Sequence, residues 1–360
     1  MPDSVNVNSA TTTGIFILLS LYTLYFASSL LVPLVFAVLL DLIFQPPVNR
    51  LARFGIPREI GALLVIITLC TVMVAAIWFQ TKPALAWLER APTMVQEIRI
   101  KVEPLRRGAQ ELQDKTRQVE EMAAGLLNQQ PETREVVLES QTWREQLLDA
   151  AERFVGLSVV TLILLYFLLA TGRTTARNLL YLLPGFGARR TAILVGQNLR
   201  EQISRYLVTI ACLNTALGMA TTLLMWALGM PNPWLWGLLA GILNFVPYVG
   251  ATLTTLVIAI VAGLSFDEIW RIVLPPLCYF LLTSAEGHIL SPMLHGRRFA
   301  MNPVLIFLSM TFWATLWGAP GVILAVPLLV SFKVICDQVD SLKPISLFMT
   351  RGASQPEQAA

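Results

Sequence analysis

The sequence predicts an all-α integral membrane protein. It should have about five full spans plus helical hairpins that enter the bilayer, break at Pro or Gly and turn back, arranged as an inverted repeat. Three observations carry this. Of the 360 residues, 55% are hydrophobic and only 14% are charged, against roughly 25% charged in a typical soluble domain. Apolar runs recur at 14–44, 60–80, 154–172, 207–230, 233–264, 272–287 and 303–332. Three of these are too long for one simple crossing and are interrupted, at Pro33, at Pro247 and at Gly318–Gly321. As one straight helix the last would be about 46 Å long, against a hydrocarbon core of about 30 Å.

Taken in order, residues 1–80 form an N-terminal membrane frame. The opening stretch has no basic n-region and no small-residue cleavage site before the first apolar run, so that run is expected to stay in the membrane. Residues 81–152 are a hydrophilic insertion with more acids than bases. Its apolar positions step by four and three through Ile98, Val102, Leu105, Ala109, Leu112, Val119, Ala123 and Leu126, which is heptad-like. A second helical stretch is expected over about 133–151. The insertion reads as a solvated helical hairpin that caps the protein or as an oligomer contact or vestibule. Residues 153–206 are a span followed by a basic amphipathic segment, 207–332 are a core of two units (207–264 and 272–332), and 333–360 are a tail.

Basic residues orient the chain. Arg50, Arg53 and Arg58, then Arg173, Arg177, Arg189, Arg190, Arg200 and Arg205, then Arg297 and Arg298 mark three loops that the positive-inside rule places in the cytoplasm. The acidic loop 265–271 and the insertion then lie outside, and both termini inside. If 207–230 leaves the cytoplasm and 272–287 returns, run 233–264 must start and finish outside. Run 303–332 must start and finish inside. Both are therefore hairpins, and their Pro/Gly breaks are the tips. Irregular backbone at that depth is stable only against protein or a water-filled cavity.

The two hairpins resemble each other. One opens at Asn232-Pro233 and the other at Asn302-Pro303, and each reaches a tip glycine after similar spacing, Gly250 after 18 residues and Gly321 after 19. Broken segments at matching positions of inverted halves point to a transport site at their interface. The candidate substrate path is Asn244, Pro247, Tyr248, Gly250, Glu286, Asn302, Pro303, Gly318, Pro320 and Gly321, with Ser309 beside it. Glu286 is the only acid between Glu268 and Asp337, and an ionisable group at membrane depth is a functional candidate. The alternative is a solvated Glu near His288 at the end of its span. Asp41 is expected at the interface, His288 and His295 on the cytoplasmic surface. Gly237 and Gly241 form a GxxxG that reads as close helix packing.

Soluble chemistry has no motif here. There is no HExxH, GxSxG or GxxxxGK[ST], and "GFGARR" (185–190) lacks the third glycine of a dinucleotide loop. Two His and four dispersed Cys offer no metal-ligand pattern. No enzyme activity, cofactor, metal or nucleic-acid partner is expected.

"GILNFVPYVGATL" (241–253) and "EGHILSPMLHGRRFAMNPVLIFLSMTFWATLWGAPGVILAVPLL" (286–329) resemble the two signature stretches of the autoinducer-2 exporter family of bacterial permeases. The loop "PPVNRLARFGIPR" (46–58) is also similar. Members commonly have Asn after the glutamate, whereas here Gly287 follows Glu286. The resemblance implies a multi-pass inner-membrane protein assembled as a homo-oligomer, a pentamer. It also implies either export of a quorum-sensing furanone precursor or sodium or lithium/proton antiport. Three functions follow as expectations: export of a small polar organic solute by alternating access of the hairpin-bearing core, monovalent cation/proton antiport, and a non-transporting membrane scaffold.

Overall fold

The computed structural model describes residues 7–87, 142–181, 186–290, 293, 301–338 and 342–349. The heptad-like positions of the insertion, and His295, Arg297 and Arg298, lie outside them. Among the described residues the regular elements are helices: α1 (Val7–Phe26), α2 (Ser28–Arg53), α3 (Arg58–Trp87), α4 (Thr142–Tyr181), α5 (Phe186–Ala227), α6 (Pro233–Leu243), α7 (Val249–Ser265), α8 (Ile269–Ala285), α9 (Pro303–Gln338) and α10 (Lys343–Met349). A π-helical turn, Glu286–Leu290, extends α8.

Among the described residues, six helical segments are long and apolar enough to cross a membrane: Ser28–Arg53, Arg58–Trp87, Asp149–Gly172, Val195–Ala227, Ile269–Leu290 and Pro303–Gln338. The protein is a multi-pass membrane protein. Buried hydroxyls follow the same logic, since water is scarce at that depth. Thr161 and Thr222, for example, donate to the carbonyl four residues back, Leu157 O and Gly218 O.

The run 303–338 is a hairpin. Ser309 Oγ donates to Ala325 O at 3.0 Å, whereas 16 residues of straight helix would separate them by roughly 24 Å. The reversal is at Gly318, with φ 64 and ψ −143. Both ends of the run meet α10, through Asn302 N to Met349 O (3.1 Å) and through Ser346 Oγ to Asp337. Setting this hairpin aside leaves five long spans and the shorter apolar helices α1, α6 and α7. Helices α6 and α7 form the earlier hairpin, turning over residues 244–248.

One expectation is corrected. The first apolar run breaks at Ala27, and Pro33 lies inside α2. Proline lacks an N–H and crowds the carbonyl four residues earlier, here that of Ser29 inside α2, so Pro33 is accommodated within the helix and does not account for the break at Ala27. Asp41, expected near the membrane interface, is packed inside the protein. It is 4% exposed and pairs with Arg200 at 2.5 Å, tying α2 to α5. Ser204 Oγ donates to Leu42 O at 2.5 Å one turn further along. The helical stretch expected near 133–151 is, over its described part, simply the start of α4.

Three apolar clusters position the core. Ala37, Val48, Ala62, Leu165 and Leu169 join α2, α3 and α4. Met225, Trp236, Ala240, Ile258, Val261 and Tyr279 join α5 to the first hairpin and α8, and Trp87 of α3 packs on Trp236. Val32 and Leu39 of α2, Tyr206 and Leu207 of α5, and Trp317, Leu324 and Val330 of the second hairpin form the third. Helix α5 therefore stands between the hairpins.

Candidate functional site

The first hairpin begins at Asn232, in the left-handed region (φ 53, ψ 53), with Pro233 at the first helical position. There a missing N–H costs no helical hydrogen bond. Helix α6 then crosses α5 with backbones almost in contact. A Cβ on Gly237 would lie 1.9 Å from Thr222 Oγ1 and 2.5 Å from Gly218 O, and one on Gly241 would lie 3.0 Å from Asn214 O. The GxxxG is a packing device.

At the tip, Val249 N donates to Pro247 O at 2.7 Å while Tyr248 takes φ 64 and ψ −52. That is a γ-turn of the rare, strained kind. A residue held there costs about 1–3 kcal/mol, and such strain concentrates at functional positions. Tyr248 is 62% exposed, so its packing does not account for the strain. Gly250 is fixed by clearance, because a Cβ there would sit 1.9 Å from Leu243 O.

Next to this turn lies Glu286, half-buried, at the junction of α8 and the π-helical turn. Single π-turns are uncommon and favour functional sites. The side chain of Asn244 lies close to the Glu286 carboxylate. Asn244 Nδ2 also donates to Asn214 Oδ1 of α5 at 2.9 Å. Behind Glu286, Tyr279 is fully buried beside Thr254 and Thr283, without closing a hydrogen bond of ordinary geometry. His288 is exposed, and its Nδ1 lies 2.9 Å from Ser284 O.

The second hairpin meets the first through Val246, which is buried among Met310 and Ala325 with Trp313 and Val322 packed alongside. The positive φ belongs to Gly318, not to Gly321 as a Pro-Gly turn would suggest. Gly321 is instead required for clearance, since a Cβ there would lie 2.0 Å from Trp313 O. Trp317 Nε1 donates at 3.0 Å to Leu24 O, one of the last four carbonyls of α1, which have no partner within that helix.

Of the sequence candidates, Asn244, Pro247, Tyr248, Gly250 and Glu286 come together. Gly318, Pro320 and Gly321 form the neighbouring tip. Asn302 and Pro303 stand at the far end of the second hairpin, where Asn302 Oδ1 accepts from Val304 N and the Asn302 backbone N–H donates to Met349 O. Sequence reasoning missed Asn214, Val246, Trp317 and Tyr279. An Asn amid the apolar "VTIACLNTALGMA" (208–220) was the available signal for the first. Among the described residues, no three metal-ligating side chains cluster.

Comparison with known proteins agrees with this architecture. Residues 15–341 match the model of the AI-2E family transporters. A Borreliella burgdorferi protein, provisionally named for transport, is 30% identical over 204 residues, 54% of each chain. The AI-2 transport protein TqsA of Escherichia coli is 32% identical over 154 residues, 42% of this chain and 43% of its own. The matched stretches thus span about half the length of these two relatives. YhhT of Escherichia coli, also provisionally named for transport, is 25% identical over 336 residues, 88% of each chain.

Proposed function

Since the chain belongs to the AI-2E family of transporters, we propose that it exports a small polar organic solute of the autoinducer-2 kind by alternating access of its hairpin-bearing core. The observation that carries this reading is the junction of the strained turn at Tyr248 with Asn244 and Glu286. It places a carboxylate, amide groups and irregular backbone together between membrane helices, where polar groups need a purpose. The name of the Escherichia coli relative supports the solute class.

In this reading α2, α3 and α4 are the static frame of a homo-oligomer, a pentamer, in a bacterial inner membrane with both termini cytoplasmic. The insertion 81–152 is extracytoplasmic. The large apolar side chains exposed on α3, such as Trp78 (78%) and Phe79 (77%), suit a surface covered by lipid or by a second copy.

A second reading, monovalent cation/proton antiport, is favoured by Glu286, half-buried and next to the tip. The separating experiment is flux in proteoliposomes, with autoinducer-2, small polyols, sodium and lithium each tested with and without a proton gradient. Solute flux indifferent to the cations supports export. Cation flux that collapses the proton gradient supports antiport. No flux of any kind would leave the scaffold.

A further inference from the structure

Between α3 and the α5–α6 pair runs a surface groove of about 800 Å³ whose two ends differ. At one end it is lined by Gln80 and Asn232. Both are accessible, and among the described residues neither side chain is held in a hydrogen bond. Lys82 is exposed two residues beyond Gln80. Along the rest of the groove no polar side chain is on offer. Thr215 and Thr222 donate to their own helix, at Ala211 O and Gly218 O. Asn214 is closed off, its Oδ1 accepting from Asn244 and its Nδ2 buried. Among the described residues no charged side chain lines the groove, and Phe79, Met219, Leu238, Ile242 and Phe245 form much of its wall.

Exposed tryptophans fix the level of the polar end. Trp226 stands at the end of α5 and Trp234 at the start of α6, each 71% exposed, and tryptophan collects at the membrane–water interface. From that level the groove follows α6 down to Phe245. The 11 residues of α6 are about 16 Å long, close to half of a hydrocarbon core of about 30 Å. The groove therefore has a polar end at headgroup depth and apolar walls for one leaflet. A cation would meet no anionic ligand in it, and a small polar solute would find no partner along its walls. An amphiphile lying parallel to the surrounding lipid matches both ends.

We propose that this groove is a phospholipid site. One acyl chain lies along α6 with its end at Ile242 and Phe245, at the start of the turn over 244–248. The phosphate oxygens accept from the amides of Gln80 and Asn232, and Lys82 adds a preference for an anionic headgroup. This lipid is not the transported solute, and the site does not depend on what the core carries.

The test is native mass spectrometry of the full chain in detergent, titrated with palmitoyl-oleoyl phosphatidylglycerol. The wild type should hold one lipid about tenfold more tightly than the next. Leu238→Trp and Ala76→Phe fill the groove from its two sides, and each should abolish the tight lipid. Val74→Trp, at an exposed position on the opposite face of α3, should leave it in place. Gln80→Glu with Asn232→Asp keeps side-chain shape but repels phosphate, and should weaken the lipid about fivefold or more. The phosphatidylcholine analogue should bind about fivefold more weakly than phosphatidylglycerol, and Lys82→Gln should remove that difference. A graded series with no tight lipid, a tight lipid that persists in both filled variants, or one lost equally in Val74→Trp would each overturn the site. If the filled variants instead dissociate a complex of several copies and leave the lipid bound, the groove is an interface between copies and the proposal fails. None of these readouts uses flux, so their failure leaves the export reading intact, and a chain without flux leaves the lipid site intact.

Discussion

The two hairpins use the same skeleton for different work. Each starts at Asn-Pro, and in each a carbonyl 11 residues after that Asn, Leu243 O or Trp313 O, is approached so closely by the returning arm that only glycine fits, at Gly250 or Gly321. The reversals themselves differ. The first spreads over 244–248 and holds a tyrosine at positive φ, while the second turns on Gly318, where positive φ is nearly free of strain. The first is held from outside, by the glycine crossing with α5 and by Asn244 to Asn214. The second is held by its own arms, through Ser309 to Ala325, and by Trp317 on α1. The repeat preserves the shape, and the polar chemistry is concentrated in the first copy.

The shared clearance is the strongest claim in that comparison, so breaking it should have the largest effect. Gly250→Val and Gly321→Val each drive a side chain into a backbone carbonyl, at 1.9 and 2.0 Å. Overpacking typically costs about 1–3 kcal/mol and occasionally more; against backbone it should reach the upper end. Both variants should lose most monodisperse protein in gel filtration and all flux. If one is tolerated and the other is not, the two turns are not equivalent.

The claimed difference in chemistry predicts an asymmetry in activity. Asn244→Leu should lower solute flux at least tenfold with normal folding, whereas Ser309→Ala, which removes the cross-arm bond of the second hairpin, should retain most of it. Glu286 sharpens the point. If it carries protons, Glu286→Gln abolishes proton-coupled flux and leaves solute binding. If it only orients Asn244, Gln retains much of the flux and Ala loses it. Wild-type flux in both variants would make Glu286 a surface residue.

How far the sequence alone reached can be judged residue by residue. The hairpins were legible because Pro and Gly interrupt apolar runs too long for one crossing, and Asn-Pro labels both starts. Which glycine of Gly318-Ala319-Pro320-Gly321 turns the chain was not legible, because positive φ and close approach both select glycine. The pairing of Asn214 with Asn244 and that of Asp41 with Arg200 were hidden for another reason. Their partners lie 30 and 159 residues apart, and local spacing carries no information about which helix packs on which. Pro33 misled because α2 accommodates a proline in its second turn, while the break stands at Ala27.

The positive-φ residues offer an intermediate test. Left-handed backbone costs a non-glycine residue about 1–2 kcal/mol. Tyr248→Gly should therefore raise thermal stability by about 1 kcal/mol and still reduce flux, if the tyrosine is kept for function. Gly318→Ala, which meets no atom within 4 Å, should lower stability by a similar amount with flux largely intact. A flux-neutral Tyr248→Gly would remove the functional reading of the strain.

The smallest expected effect concerns the brace on the second hairpin. Trp317 is buried, stacks near Trp313 with ring centroids 4.4 Å apart, and donates to Leu24 O. Trp317→Phe keeps an aromatic ring in the pocket and deletes the donor. A neutral hydrogen bond is worth about 1 kcal/mol net, and slightly more is lost when the abandoned carbonyl stays dry. A loss of about 0.5–1 kcal/mol in thermal stability is expected, with flux within twofold of wild type. Hydrogen exchange at the amides around Gly318 should rise in this variant, and those around Tyr248 should not change. Faster exchange at Tyr248 as well would mean that the brace on α1 supports both tips, and that the division of labour between the hairpins is weaker than their geometry implies.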